Sequence, residues 1–218
     1  MSPSTPTYQL AGNSQMSKVR STKMGQGEAG DVSENAREAI LAAAKSAAQL
    51  HGYSGINFRS IAEEVGIKNA SIYYHFPSKA DLAAAVAERY WQDTLAALEV
   101  IRLATPDPRQ CVQRYSSIFR QSLVNGNKLC LSSFMAAEYE DLPDQVSKEV
   151  EAFANVNVRW LAECLTDAGL SDVLNSERRA RAIYTAIAGA QLIARTRSDI
   201  ALFDDLMLSY QEAGLIPA

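Results

Sequence analysis

The chain is poor in the residues that most often carry chemistry: of 218 residues only two are His and three are Cys. His51 and His75 fall in separate helical segments, and no Cys or carboxylate stands at ligand spacing, so neither a zinc-type metal site nor a His-based acid–base set has its parts. Cys111, Cys130 and Cys164 are odd in number and lack the close spacing of a disulfide framework, which suits a reducing compartment. Long apolar runs are missing as well; none approaches the roughly 20 residues that a membrane-spanning helix requires. Met1 to Thr7 show no charged start followed by an apolar stretch, so a cytoplasmic protein without a secretory signal is expected. Paired carboxylates and a nucleophile–base set are lacking, no cofactor is implied, and an enzyme is not expected. Met24-Gly25-Gln26-Gly27 has no strand before it and is not a phosphate loop. There is no repeat of fixed period and no strand-like alternation of useful length.

What is present is apolar content and uneven charge. Hydrophobic residues make up 47% of the chain, ample for a buried core. The net charge of −4 hides a division: residues 1–80 hold eight Lys/Arg against six Asp/Glu, and the remainder holds 13 against 19. An acidic body with a mildly basic N-terminal end suits a protein that offers one end to phosphates.

Residues 1–32 are rich in Ser, Thr, Gly and Gln and read as a flexible extension, with Lys18, Arg20 and Lys23 as its cations before Glu28. A first helix is expected from about Asn35, capped by that side chain with Glu38 reaching back, and Ile40, Ala43, Ala44, Ala47 and Leu50 form its apolar stripe. Asn57 caps a second helix, Phe58 to Val65, with Ile61, Ala62 and Val65 on one face. Gly66 permits a tight turn into a third, about Asn69 to Phe76, too short to stand without packing through Ile67, Ile72 and Phe76. Pro77 ends it. Ser78 with Asp81 starts a long amphipathic helix to about Leu103, and helical patterns then cover about 109–125, 130–139, 143–168, 176–197 and 200–213. The whole reads as all-α.

Two short helices hinged at Gly66 suit a helix-turn-helix. Ile40-Leu41-Ala42-Ala43-Ala44, Gly52-Tyr53, Arg59 with Ile61-Ala62, Gly66-Ile67, Tyr73 with His75-Phe76, and Ser78-Lys79 with Leu82 follow in order without gaps. On these residues the segment 35–82 resembles the DNA-binding domain of the TetR family of bacterial transcriptional regulators. The resemblance implies a three-helix unit whose short third helix enters the major groove. Lys68, Asn69 and Ala70 open that helix and become candidates for base edges, Asn69 through adenine and Ala70 through a thymine methyl; outward-facing Tyr74 joins them. Ser71, Tyr73, His75 and Lys79 match positions that commonly hold the phosphate backbone, with Arg59 reaching a phosphate or a guanine. Relatives often carry Ser or Thr where Lys68 stands, and Lys68 cannot cap.

The family's second domain dimerises and binds an inducer. Gly126-Asn127-Lys128-Leu129-Cys130-Leu131, with Ala136-Ala137-Glu138 and Leu142-Pro143, looks like a subgroup in which a Cys opens the helix after Gly. Some such relatives sense electrophiles or oxidants and others bind small organic molecules. A thiol at a helix start beside Lys128 has its thiolate favoured, which makes Cys130 a candidate sensor; the competing reading is an inert buried thiol. Tyr115, Phe119, Phe134, Tyr139, Phe153, Trp160 and Tyr184 are candidates to line a pocket, or else core. Ala182, Ala186, Gly189 and Ala190, flanked by Ile183, Ile187 and Ile193, suit close helix approach, and Ile200, Leu202, Phe203, Leu206 and Met207 give a second apolar face. The corresponding helices pair two chains in relatives.

The expectation is a homodimeric TetR-type repressor with a DNA-binding domain at 33–82 and an effector-binding, dimerising helical domain at 83–218. It would bind a double-stranded, pseudo-palindromic operator and leave it on meeting a small-molecule or electrophilic effector. The rival is a helical enzyme or scaffold with a vestigial DNA-binding domain.

Overall fold

The structure is a computed structural model that describes residues 27–218. The basic residues Lys18, Arg20 and Lys23 lie outside the described residues, as does most of the expected extension. α1 spans Gly27–His51 and therefore starts upstream of Asn35, which sits within the helix instead of capping it. Glu38 does not reach back either. Its carboxylate accepts both guanidinium N–H groups of Arg89, at 2.7 and 2.8 Å, tying α1 to the helix that follows the DNA-binding unit.

α2 (Phe58–Val65) and α3 (Asn69–His75) match their expected bounds closely. α4 runs Lys79–Ala104, started by Ser78, whose hydroxyl accepts the Asp81 N–H at 3.2 Å. The helix expected over 109–125 is two, α5 (Pro108–Arg114) and α6 (Ser116–Val124). The interruption at Tyr115 is slight: its backbone stays right-handed at φ −53, ψ −39, and its N–H is shared between the Cys111 and Val112 carbonyls. α7 is short, Leu131–Ala136, because a 3-10 turn at Tyr139–Asp141 takes over. α8 (Asp144–Asp167) packs along α4, and α9 (Val173–Arg197) packs on α8. α9 begins before Ser176 because Asp172 caps it, accepting the Asn175 N–H at 2.8 Å. α10 (Ile200–Glu212) is capped by Asp199 as expected.

The architecture is all-α, a three-helix helix-turn-helix unit followed by a larger helical domain, with no strand among the described residues. One apolar core runs through both, from Ile40 and Ile72 by way of Leu82 and Leu98 to Trp160 and Phe203. No helix among the described residues is long and apolar enough to cross a membrane.

Candidate DNA-binding surface and effector domain

Asn57 starts α2 by accepting the N–H groups of Arg59 and Ser60 at 2.9 and 3.1 Å, two donors that a helix start leaves open. Gly66 ends it in the left-handed region (φ 76, ψ 30), and the N–H groups of Gly66 and Ile67 both return to the Ala62 carbonyl. That turn sends α3 across α2. Ile61, Ala62, Ile72 and Phe76 are buried, with Val65 and Ile67 packed beside them. Burying one stripe of so short a helix fixes what the other side shows. Lys68, Asn69, Ala70, Tyr73 and Tyr74 are exposed, and Ser71 and His75 are half-buried. Lys68 occupies the cap position of α3 and makes no capping hydrogen bond, leaving the helix start open toward solvent.

Tyr74 is 80% exposed, a large aromatic side chain held in water. Tyr73 is steadied by the edge of Phe58, with ring centroids 4.8 Å apart. Lys79 lies over the Tyr53 ring at 4.4 Å and donates to the Ser54 carbonyl at 3.3 Å, so its ammonium is pinned at the start of α4. Arg59, Asn69, Tyr73 and Lys79 meet around one shallow hollow of about 380 Å³. Arg59 pairs with Glu63 at 3.2 Å, but both are exposed, and such pairs are worth little, so the guanidinium can exchange its partner for a phosphate. Four of the nine expected DNA contacts thus meet around one hollow.

The candidate pocket residues do not gather in one place. Tyr115, Phe119, Phe153 and Trp160 are fully buried and packed ring against ring, Tyr115 with Trp160 at 6.0 Å and with Phe119 at 5.7 Å. The Tyr115 hydroxyl donates to Asn157 at 2.8 Å, and Asn157 donates to the Phe153 carbonyl at 2.8 Å. Burial pushes the Tyr115 phenol well above its ordinary pKa. The Trp160 indole N–H is buried without a partner. Tyr184 touches this nest through Phe119 and Phe153, and its other side lines a wide cleft of about 930 Å³ between α8 and α9, with Val158, Ala162 and Arg181. Phe134 lies elsewhere, under the Arg195 guanidinium at 5.3 Å. Tyr139 is a correction to the expected lining: it is exposed on the 3-10 turn and its hydroxyl donates to Glu151 at 3.0 Å. An acidic partner within reach on the surface won over burial.

Cys130 stands at the N-cap position of α7, as expected, without a side-chain capping hydrogen bond. It is buried, its N–H donates to Gln191 at 3.0 Å, and Gln191 donates onward to the Phe119 carbonyl at 2.7 Å. Burial pushes its thiol above the ordinary range, although Ser133 and the Tyr90 phenol partly offset this by hydrogen bonding. Lys128, expected to favour the thiolate, instead donates to Ser46 of α1 at 3.0 Å. Cys111 and Cys164 are buried too, the latter pushed by burial up to about 12. Sequence reasoning missed Asn157 and Gln191, whose signal was a lone amide within an apolar helical stripe.

Residues 40–86 match the model of the bacterial regulatory proteins of the tetR family. A TetR transcriptional regulator from Legionella pneumophila superposes with a TM-score of 0.76 at 27% identity, covering 88% of this chain and 99% of that one. The chain has the TetR fold, with an N-terminal helix-turn-helix domain. A TetR-family regulator from Agrobacterium tumefaciens gives 0.77 at 26% identity, covering 83% and 98%. Escherichia coli NemR in its reduced form, at 19% identity and a TM-score of 0.70 over 81% and 96%, is alike in fold alone. No curated protein matches the chain. The matched residues include both α2 and α3.

The expected pairing surface needs correction. Ile183, Ile187, Ala190 and Phe203 are buried within the chain's own core, and Met207 nearly so, which leaves them nothing to offer a partner. Ala182 and Gly189 are exposed, Ala186 is half-buried, and Leu192, Ile193 and Leu208 stand out at 47%, 48% and 58% exposure.

Proposed function

We propose that the protein is an operator-binding repressor that works as a homodimer and leaves DNA when its helical domain binds an effector. The observation that carries this reading is the exposed face of α3, where Lys68, Asn69, Ala70 and Tyr74 stand free while the buried stripe holds the helix rigid. In this reading those four residues meet base edges, and Arg59, Ser71, Tyr73, His75 and Lys79 hold phosphates. Two copies pair through the exposed small and apolar residues of α9 and α10, Gly189, Leu192, Ile193 and Leu208 among them. A two-fold pair presents two α3 helices to the half-sites of a pseudo-palindrome.

The effector is a small organic molecule that enters the cleft between α8 and α9 and displaces Tyr184 against the aromatic nest. It acts by preferring the conformation in which the two α3 helices have the wrong separation; equal affinity for both would shift nothing. A reagent acting on Cys130 has to open the core first, since the thiol is buried and that burial raises its pKa. Operator release by peroxide or an electrophile that is unchanged in Cys130→Ser removes the thiol from the account.

Binding to a palindromic fragment tests the reading. Affinity should fall by about 10³-fold or more between 50 and 200 mM salt, as for a protein making six or more phosphate contacts. Binding indifferent to salt and sequence would contradict it.

A further inference from the structure

A second cleft, of about 460 Å³, lies where the two domains meet, walled by α1, α4 and α6. It shares no lining residue with the α8–α9 cleft, and it adjoins the aromatic nest only through Tyr90, which stacks on Phe153 at 5.3 Å. Its size falls within the range of small-molecule sites. At the α1 wall stand two ammonium groups. Lys45 reaches Asp93 at 3.3 Å and lies 5.3 Å from the Tyr90 ring centroid. Lys128, half-buried, has the neutral Ser46 hydroxyl as its partner at 3.0 Å and forms no ion pair among the described residues.

Away from the lysines the lining gains apolar side chains, interspersed with Ser117, Thr94 and Gln121. Along α4 the lining passes from Tyr90 through Ala97 to Ile101, and Ile118 of α6 lines it too. At 1.5 Å per residue, Tyr90 to Ile101 spans roughly 16 Å, so the cation end and the apolar end are well apart. Near Lys128 the lining adds the amide of Gln49 and the hydroxyl of Ser122.

We propose that this interdomain cleft binds a small organic monocarboxylate, its carboxylate on Lys128 and its apolar body along Ala97, Ile101 and Ile118. A half-buried ammonium whose partner is neutral gains more from a carboxylate than an exposed one already paired, because charge-assisted hydrogen bonds strengthen as water is excluded. Lys45 adds a second donor while keeping Asp93. One carboxylate balances the surplus of two lysines over one aspartate, whereas a dianion would overshoot it. The occupant touches α1 of the DNA-binding domain on one side and α4 and α6 on the other. Its binding therefore favours one setting of the domains over another, but the site itself stands whether or not the chain binds an operator.

The test uses the full chain without DNA. Hexanoate and phenylacetate, each at 10 mM and fixed ionic strength, are compared with the neutral hexanamide and phenylacetamide by thermal unfolding. At least one acid should raise Tm by about 3 °C, the shift expected for millimolar affinity in a chain of this size, and its amide should not. Lys128→Met should abolish that shift, and Lys128→Arg should keep most of it, which separates loss of the site from loss of the fold. Acids no better than their amides, or an undiminished shift in Lys128→Met, would overturn the proposal.

Discussion

In the helix-turn-helix domain the polar side chains other than Gln49 face outward over a small core of mainly Ile, Ala and Phe, whereas the larger domain folds Asn157, Gln191, Ser132 and the Trp160 N–H into its interior. The first arrangement puts polar groups on a surface that can change at little cost to the fold. The second puts them where each needs a partner, since an unsatisfied buried donor or acceptor costs about 1–3 kcal/mol. Trp160 and Ser132 leave such groups open, in the same domain where an effector is proposed to bind.

Substitutions sharpen this contrast. The largest effect on stability is expected from Trp160→Ala, which removes a fully buried side chain stacked on Tyr115 and should cost about 3–5 kcal/mol in denaturant unfolding. Asn69→Ala on the exposed face is its opposite. Unfolding should move by no more than about 0.5 kcal/mol, while operator affinity drops by about 1–3 kcal/mol. If Asn69→Ala destabilises the fold as much as it weakens binding, the division between surface and interior fails.

The same contrast explains how much was legible in the sequence. The caps at Asn57, Ser78 and Asp199 and the turn at Gly66 are made by residues two to five apart, so spacing alone located α2, α3 and the start of α4. The larger helical domain is built from partners far apart in the chain: Tyr115 with Asn157, Cys130 with Gln191, Lys128 with Ser46. A window of sequence cannot pair these, which is why Lys128 was expected beside Cys130 and Tyr139 inside a pocket. The start of α1 was misplaced for a related reason, because the carboxylate that would complete a capping box at Asn35 is taken by Arg89 of α4.

Smaller effects follow within the interior. Asn157→Leu strands the Tyr115 hydroxyl and should cost about 1–3 kcal/mol, whereas adding Tyr115→Phe to it should recover part of the loss, since removing both polar partners is cheaper than removing one. Gly52→Ala is predicted near 2 kcal/mol: the residue sits at φ 68, and an added Cβ would drive the Glu138 carboxylate off the Tyr53 N–H that it now holds at 2.6 Å. Gly66→Ala, at φ 76 with open space around it, carries the backbone strain alone and should cost less.

The smallest effect is Asp204→Asn, which breaks the two-pronged pair with Arg120 at 2.8 and 2.9 Å between α10 and α6. Hydrogen bonding to Arg120 holds the Asp204 carboxyl below its usual range. A group whose pKa is lowered on folding stabilises above its unfolded value and loses that contribution as pH falls through the folded one. Both side chains are nearly half exposed, so solvent screening limits the difference to less than about 1 kcal/mol at pH 7. Unfolding curves of native and variant should converge as the pH drops through the carboxylate range.

Selection of bound DNA from genomic fragments tests the central claim most directly, that the exposed face of α3 reads sequence for a two-fold dimer. The native chain should enrich a pseudo-palindrome, and Asn69→Ala should lose preference at the same position in both half-sites. Enrichment of no common sequence, or a consensus that Asn69→Ala leaves intact together with its affinity, would contradict it.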